Sequence, residues 1–123
     1  MRPRLLVLSG PLKDSTIPLA EGEITIGREA SNGIAVVDPS VSRKHCAILG
    51  REGRFQVRDL ESRNGTMVNG TVVEEQWLQH GDEIGAGDSC FLFLLEIAVR
   101  GGNQSYVNLN GMIPTHTLKL TLL

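Results

Sequence analysis

The residues with the most chemical potential lie in three short loops: Gly27-Arg28-Glu29, Ser42-Arg43-Lys44-His45 and Ser62-Arg63-Asn64-Gly65-Thr66, the last echoed by Asn69-Gly70. Each joins a cation or hydrogen-bond donor to a residue that accepts uncommon backbone angles. That mixture suits a preformed pocket for one anionic group better than it suits a reaction. A guanidinium at Arg28 offers paired donors to phosphate oxygens. Ser42 and Arg43 bring a hydroxyl, a cation and backbone N–H groups to a loop-to-strand junction. Arg63-Asn64-Gly65 adds a second cation, an amide that both donates and accepts, and a permissive glycine.

Enzyme readings of these residues are weaker. Gly22 to Glu29 imitates the spacing of a nucleotide-binding P-loop. However, Glu29 stands where a metal-binding Ser or Thr is needed, and Glu23-Ile24-Thr25-Ile26 is a strand pattern rather than a flexible loop. Ser42 and His45 have the types of a nucleophile and its base, yet no G-x-S-x-G elbow surrounds Ser42 and nothing nominates an orienting acid. His80-Gly81-Asp82-Glu83 carries metal-ligand types, but Gly-Asp between strands reads more naturally as a turn. The sequence therefore predicts a binding module with no catalytic residue, no metal and no cofactor.

The elements that must position these loops are short strands. Leu5 to Leu8 reads as a first strand closed by Ser9-Gly10-Pro11, and Glu23 to Ile26 puts Ile24 and Ile26 on one face. Ile34 to Val37 is a further short run ended by Asp38-Pro39. Cys46 to Leu49 and Phe55 to Arg58 alternate in the same way and are joined by Gly50-Arg51-Glu52-Gly53, which predicts a hairpin. Asn69-Gly70 between Met67-Val68 and Thr71-Val72-Val73 is a tight-turn signal, because both residues accept positive φ. Glu83-Ile84 and a long apolar run from Ser89 to Val99 come later. Glu74 to His80 is the one stretch with helical potential, and it is short and poorly capped. Strands at this spacing imply an all-β sandwich, whose loops gather at its ends.

Composition narrows the partner class. At 123 residues the chain is one domain in size, and 12 Lys+Arg against 14 Asp+Glu give a net charge of −2. Neither that balance nor an aromatic content of 4% favours nucleic acid. The basic residues cluster, with Arg43, Lys44, Arg51, Arg54, Arg58 and Arg63 close in sequence, so a local positive field is expected. Arg51, Arg54 and Arg58 read as solvated strand and turn positions. Cys46 and Cys90 sit in apolar runs and read as reduced core thiols. The apolar run Leu5 to Leu8 is shorter than the about 7–15 residues of a secretory signal, and nothing reaches membrane-span length. A cytoplasmic location is expected, or a nuclear one in a eukaryote.

Past Arg100 the character changes. Gly101 to Ser105 is linker-like, and Thr117 to Leu122 alternates like one more strand. A domain over 1–100 is expected, followed by a linker or extra edge strand over 101–123 leading to a downstream region.

One family unites these features. Gly27-Arg28, Asn32-Gly33-Ile34, Asp38, Val41-Ser42-Arg43-x-His45, Asp59-Leu60, Ser62-x-Asn64-Gly65-Thr66, Val68-Asn69-Gly70 and Leu78-x-x-Gly81-Asp82-x-Ile84-x-x-Gly87 resemble a forkhead-associated (FHA) domain, in order, over roughly residues 3 to 99. The resemblance implies a SMAD/FHA-like β-sandwich of about eleven strands whose loop rim binds phosphothreonine peptides. It implies phosphate contacts for Arg28 and Ser42, a position over the ligand for Arg43 and beside the peptide for Arg63, and a hold on the peptide main chain for Asn64. Gly27, His45, Gly65 and Asn69 are implied to brace the loops. The partner implied is a phosphothreonine-containing substrate of a Ser/Thr kinase, with neither nucleic acid nor membrane bound. The family's habit of being appended to effectors suggests the amino-terminal sensor of a larger signalling or transcription-regulating protein. The competing reading is a phosphate-independent scaffold or dimerisation module on the same fold.

Overall fold

In the computed structural model, which describes residues 2–98 and 106–108, every regular element is a β-strand. Eleven strands form two sheets. One sheet has the order β2-β1-β11-β10-β7-β8, built from Thr16–Pro18, Arg4–Ser9, Ser89–Leu94, Glu83–Ala86, Thr66–Val68 and Thr71–Val73. The other has the order β4-β3-β5-β6-β9, built from Ile34–Ala35, Gly22–Gly27, Cys46–Arg51, Arg54–Asp59 and Glu75–Trp77. A separate pair, β12 (Glu96–Ala98) and β13 (Tyr106–Asn108), completes the described strands.

Alternation along the strands builds the core. Leu5 and Val7 of β1, Ile84 and Ala86 of β10, and Phe91 and Phe93 of β11 are buried, as are Ile26 of β3, Ile48 of β5 and Phe55 and Val57 of β6. The Phe55 and Phe93 rings meet across the two sheets at 5.6 Å between centroids and a tilt of 53°, a favourable edge-inclined geometry. Cys46 and Cys90 are free thiols. Burial pushes Cys46 up to about 12 and, with the Glu83 carboxylate beside it, Cys90 up to about 11, so both stay protonated near neutrality.

Two hairpins form where turn chemistry predicts them. Asn69 (φ 52°) and Gly70 (φ 83°) join β7 to β8, the paired positive angles of a two-residue turn whose twist matches its strands. Between β5 and β6 the turn is narrower than the four-residue link read from sequence. Arg51 already pairs with Arg54, leaving Glu52 (φ 53°) and Gly53 (φ 76°) to reverse the chain.

Three local expectations need correction. Glu74 to His80 is not helical: Glu75–Trp77 forms β9 and pairs with β6 through Gln56↔Trp77, Val57↔Gln76 and Arg58↔Glu75. The open edge of β6 offers ladder bonds that outweigh the weak propensity of so short an uncapped segment. The apolar run after Ser89 is not one strand either, since β11 ends at Leu94 and Glu96–Ala98 pairs with β13 instead. The structure also adds β2, which pairs with β1 through Leu5↔Ile17. The alternating stretch Thr117 to Leu122 lies outside the described residues.

Strand direction decides where the loops go. β1 and β11 run antiparallel, with Arg4 opposite Leu94 at one end and Ser9 opposite Cys90 at the other. The Ser9 end is tied to the β10–β11 turn by its hydroxyl, which donates to the Asp88 carbonyl at 3.0 Å. That turn borders the loops in which the sequence concentrates its cations.

Candidate functional site

The site begins with the register of β3 on β5. Ile26 opposite Cys46 sets the end of one strand beside the start of the other. Arg28 N–H then donates to the Ser42 carbonyl at 3.0 Å, Glu29 N–H to that of Arg43 at 3.3 Å, and His45 N–H to that of Ile26 at 2.9 Å. Arg28 and Ser42 are thus held side by side by main-chain bonds. Gly27 permits the approach: a Cβ there would stand 2.2 Å from the Arg43 carbonyl oxygen. Asn32, 6% exposed, staples the two loops from behind, its Nδ2 donating to the carbonyls of Glu29 at 2.8 Å and Arg43 at 2.7 Å.

His45 joins these loops to the third. Fully buried, it accepts the Ser42 N–H at Nδ1 (3.0 Å) and faces the Gly65 carbonyl with Nε2 at 2.8 Å. Because Nδ1 must carry a lone pair, Nε2 holds the proton and donates it to Gly65. The Ser42 hydroxyl in turn accepts the Arg63 N–H at 2.9 Å. With that N–H occupying an acceptor position, the serine's own proton is free to be donated outward.

The third loop takes its shape from Asp59, at the end of β6. Its carboxylate accepts the Ser62 N–H at 3.1 Å, the Ser62 hydroxyl, and the Thr66 hydroxyl at 2.7 Å. Burial works to raise the Asp59 carboxyl, but the Ser62 and Thr66 bonds hold it below the usual carboxylate value. The β10–β11 turn joins them as a fourth loop, through Ser40 of the β4–β5 connection. Ser40 accepts the Asn64 Nδ2 proton at its carbonyl (3.1 Å), donates its hydroxyl to Asp38 (2.8 Å) and accepts the Asp88 N–H (2.9 Å). The Ser40 N–H and hydroxyl hold the Asp38 carboxyl low. Gly87, at φ 58°, packs so close to Ser40 that a Cβ would stand 2.6 Å from its carbonyl oxygen.

The outward face of this assembly is cationic. Arg28, Arg43, Lys44, Arg63 and Asn64 are exposed, and Ser42 is half-buried. Among the described residues, no hydrogen bond or ion pair engages the guanidinium groups of Arg28, Arg43 and Arg63. Backbone-fixed loops carrying unclaimed donors are an arrangement for holding an anion.

The model of the FHA domain matches residues 24–87, which contain all four loops except the last residue of the β10–β11 turn. The chain belongs to the FHA family. The oxoglutarate dehydrogenase inhibitor of Corynebacterium efficiens is 39% identical over 90 residues, covering 73% of this chain and 63% of the relative. The chain thus spans less than two thirds of the length of the curated relatives it matches. Among solved structures, one from a study of phosphothreonine-dependent FHA domain interactions superposes with a TM-score of 0.71 at 33% identity, covering 76% of this chain and 96% of the other. The FhaA FHA domain, solved in complex with an intracellular domain of another protein, gives 0.69 at 34% identity, covering 74% and 98%.

Not every predicted residue of this FHA domain reaches the rim. Arg28, Ser42, Arg43, Arg63, Asn64, Gly27, His45 and Gly65 converge there. Asn69 comes after β7, whereas Gly65 precedes it, so Asn69 serves the far end of that strand. Its side chain donates to Asp82 at 3.0 Å and accepts the Glu83 N–H at 3.0 Å, bracing the hairpin against the loop before β10. Arg54 stacks over the Trp77 ring at 4.3 Å, and Arg58 lies 3.7 Å from Glu75, so two of the arginines read as merely solvated have partners. Sequence reasoning gave Asn32 and Asp59 no role and passed over Ser40. Asp38-Pro39-Ser40 was the available signal for the last, since Asp followed by Ser is turn chemistry.

The rejected enzyme readings also meet geometry. His45 Nδ1 is occupied by the backbone N–H of Ser42, so it has no lone pair with which to deprotonate the hydroxyl. His80 Nδ1 accepts the Leu95 N–H at 3.0 Å, and Asp82 accepts the Gln79 N–H at 2.8 Å. These side chains are engaged in turns. No helix of the described residues is long and apolar enough to cross a membrane.

Proposed function

We propose that this FHA domain binds phosphothreonine-containing segments of partner proteins, substrates of a Ser/Thr kinase, at the rim formed by Arg28, Ser42, Arg43, Arg63 and Asn64. The observation that carries the reading is the placement of Ser42. Its carbonyl accepts the Arg28 N–H, its own N–H is held by His45, and its hydroxyl oxygen accepts the Arg63 N–H, which leaves the hydroxyl proton to donate beside a residue whose guanidinium is unclaimed. A phosphorylated threonine brings roughly −1.5 to −2 charge and three acceptor oxygens, which charge-assisted bonds from Arg28 and Ser42 match.

The remaining roles follow from the family resemblance. Arg43 lies over the ligand and Arg63 beside the peptide, while Asn64, held at Ser40 through Nδ2, presents its amide oxygen to the peptide main chain. The relationship to an FHA domain studied for phosphothreonine-dependent interactions supports this assignment. Threonine is preferred over serine through its γ-methyl, worth ~0.8 kcal/mol or about fourfold by transfer alone. Affinity for a short peptide is near micromolar, about −8 kcal/mol, as suits reversible signalling. The domain acts as a binding module rather than an enzyme, in the cytoplasm, without direct contact with nucleic acid or membrane. The domain extends over residues 1–100.

Titration of wild type and Arg28→Ala with a phosphothreonine peptide library tests the pocket. Binding falls at least a hundredfold in the variant while its melting curve is unchanged; equal binding by the two proteins removes the assignment. Phosphatase treatment of the bound partner separates this reading from a phosphate-independent scaffold.

A further inference from the structure

Asn-Gly occurs four times in the chain, at Asn32-Gly33, Asn64-Gly65, Asn69-Gly70 and Asn110-Gly111, the last outside the described residues. The pair is chemically labile, because a glycine without a side chain lets its backbone nitrogen approach the preceding side-chain amide. The fold holds the three described pairs differently. Asn32 is buried, with Nδ2 donating to the carbonyls of Glu29 and Arg43, and a Cβ on Gly33 would stand 2.4 Å from Ile24 Cγ1. Asn69 is exposed but held at both ends, its Nδ2 donating to Asp82 and its Oδ1 accepting the Glu83 N–H. Asn64 is exposed and tied by a single bond, from Nδ2 to the Ser40 carbonyl at 3.1 Å. Among the described residues, neither its Oδ1 nor the Gly65 N–H has a hydrogen-bond partner.

We infer that Asn64 is a site of spontaneous deamidation whose product disables the rim. The Gly65 nitrogen attacks Asn64 Cγ, the new N–Cγ bond replaces the Cγ–Nδ2 bond, and ammonia leaves with the Gly65 proton. Water then opens the cyclic imide on one side to aspartate or on the other to isoaspartate. Either product puts a carboxylate on the rim that Arg28, Arg43 and Arg63 share, where it repels an incoming phosphate. Because Nδ2 is the donor to Ser40, aspartate sets an oxygen against that carbonyl and releases the tie between the two loops. Isoaspartate also lengthens the backbone by a methylene directly before Gly65, whose carbonyl His45 holds at 2.8 Å. That the loss falls on phosphopeptide binding rests on the phosphothreonine reading of the rim; the reaction itself does not.

Wild type held in mildly alkaline buffer, sampled at intervals, digested and mapped by mass tests the inference, with replacement of the amide nitrogen by oxygen scored at each asparagine. Asn64 converts about tenfold or more faster than Asn32 and Asn69. Fractions changed at Asn64, separated by their added negative charge, bind a phosphothreonine peptide about tenfold or more weaker than fresh protein. Fresh Asn64→Asp, which carries the aspartate product without isoaspartate, is weakened as well. Similar rates at all three asparagines overturn the assignment of the site. Unweakened binding by the converted fractions and by Asn64→Asp overturns the effect on the rim. Fresh wild type that binds no phosphothreonine peptide instead overturns the reading beneath it, while the ranking of rates still stands or falls by mass.

Discussion

At the scale of single residues, the rim depends on a few buried polar groups that tie its loops together. His45 is fully buried with both ring nitrogens engaged, one by each of two loops. His45→Ala leaves the Ser42 N–H and the Gly65 carbonyl without partners and opens a cavity. The expected loss is about 2–4 kcal/mol, which lowers the melting temperature by roughly 10 °C or more. Phosphopeptide affinity falls with it, because Ser42 loses its backbone anchor. An unaltered thermal scan would move His45 from bracing into ligand contact. Asp59 makes a pH-dependent prediction. Its folded carboxyl sits below the ordinary value of about 3.9, so its contribution is present above that value and disappears as pH falls through the lower folded one. Denaturant midpoints of wild type and Asp59→Asn therefore differ at pH 7 and converge below about pH 4. A gap that stays constant across that range would mean the carboxylate's charge is not the feature that holds Ser62 and Thr66.

At the scale of elements, the close approach of the loops after β3 and before β5 depends on a missing side chain. Gly27→Ala puts a methyl into the Arg43 carbonyl and the Asn32 amide, both backed by main-chain bonds that cannot yield separately. Phosphopeptide affinity drops more than tenfold in this variant, measurable by calorimetry, even where the fold survives. This approach was visible in the sequence as Gly27-Arg28 and then Ser42-Arg43, and the strands around it were visible too. Phe55-Gln56-Val57-Arg58 alternates because one face of β6 meets the core, with Phe55 and Val57 buried. Glu75–Trp77 carried no such signal, since all three residues are exposed and the strand exists only through its ladder to β6. Thr16–Pro18 escaped notice for the same reason, having one half-buried residue and two exposed ones. The role of Ser40 was illegible because its partner Asp88 lies 48 positions away, brought near only once both sheets are assembled.

At the scale of the molecule, a formal charge of −2 coexists with a rim where Arg28, Arg43, Lys44 and Arg63 are exposed together. Association with a phosphorylated partner is therefore steered by a local field against a mildly repulsive background, and raising salt slows it. Stopped-flow association rates that are flat between low and high ionic strength would remove that field from the account. The pairing of Arg4 with Leu94 has a separate consequence. The polypeptide enters β1 and leaves β11 at the same pole, with the cationic loops at the other, where Ser9 meets Asp88. Such a layout behaves as a plug-in cassette. Sequence joined before the first strand or after the eleventh therefore departs from the pole opposite these loops.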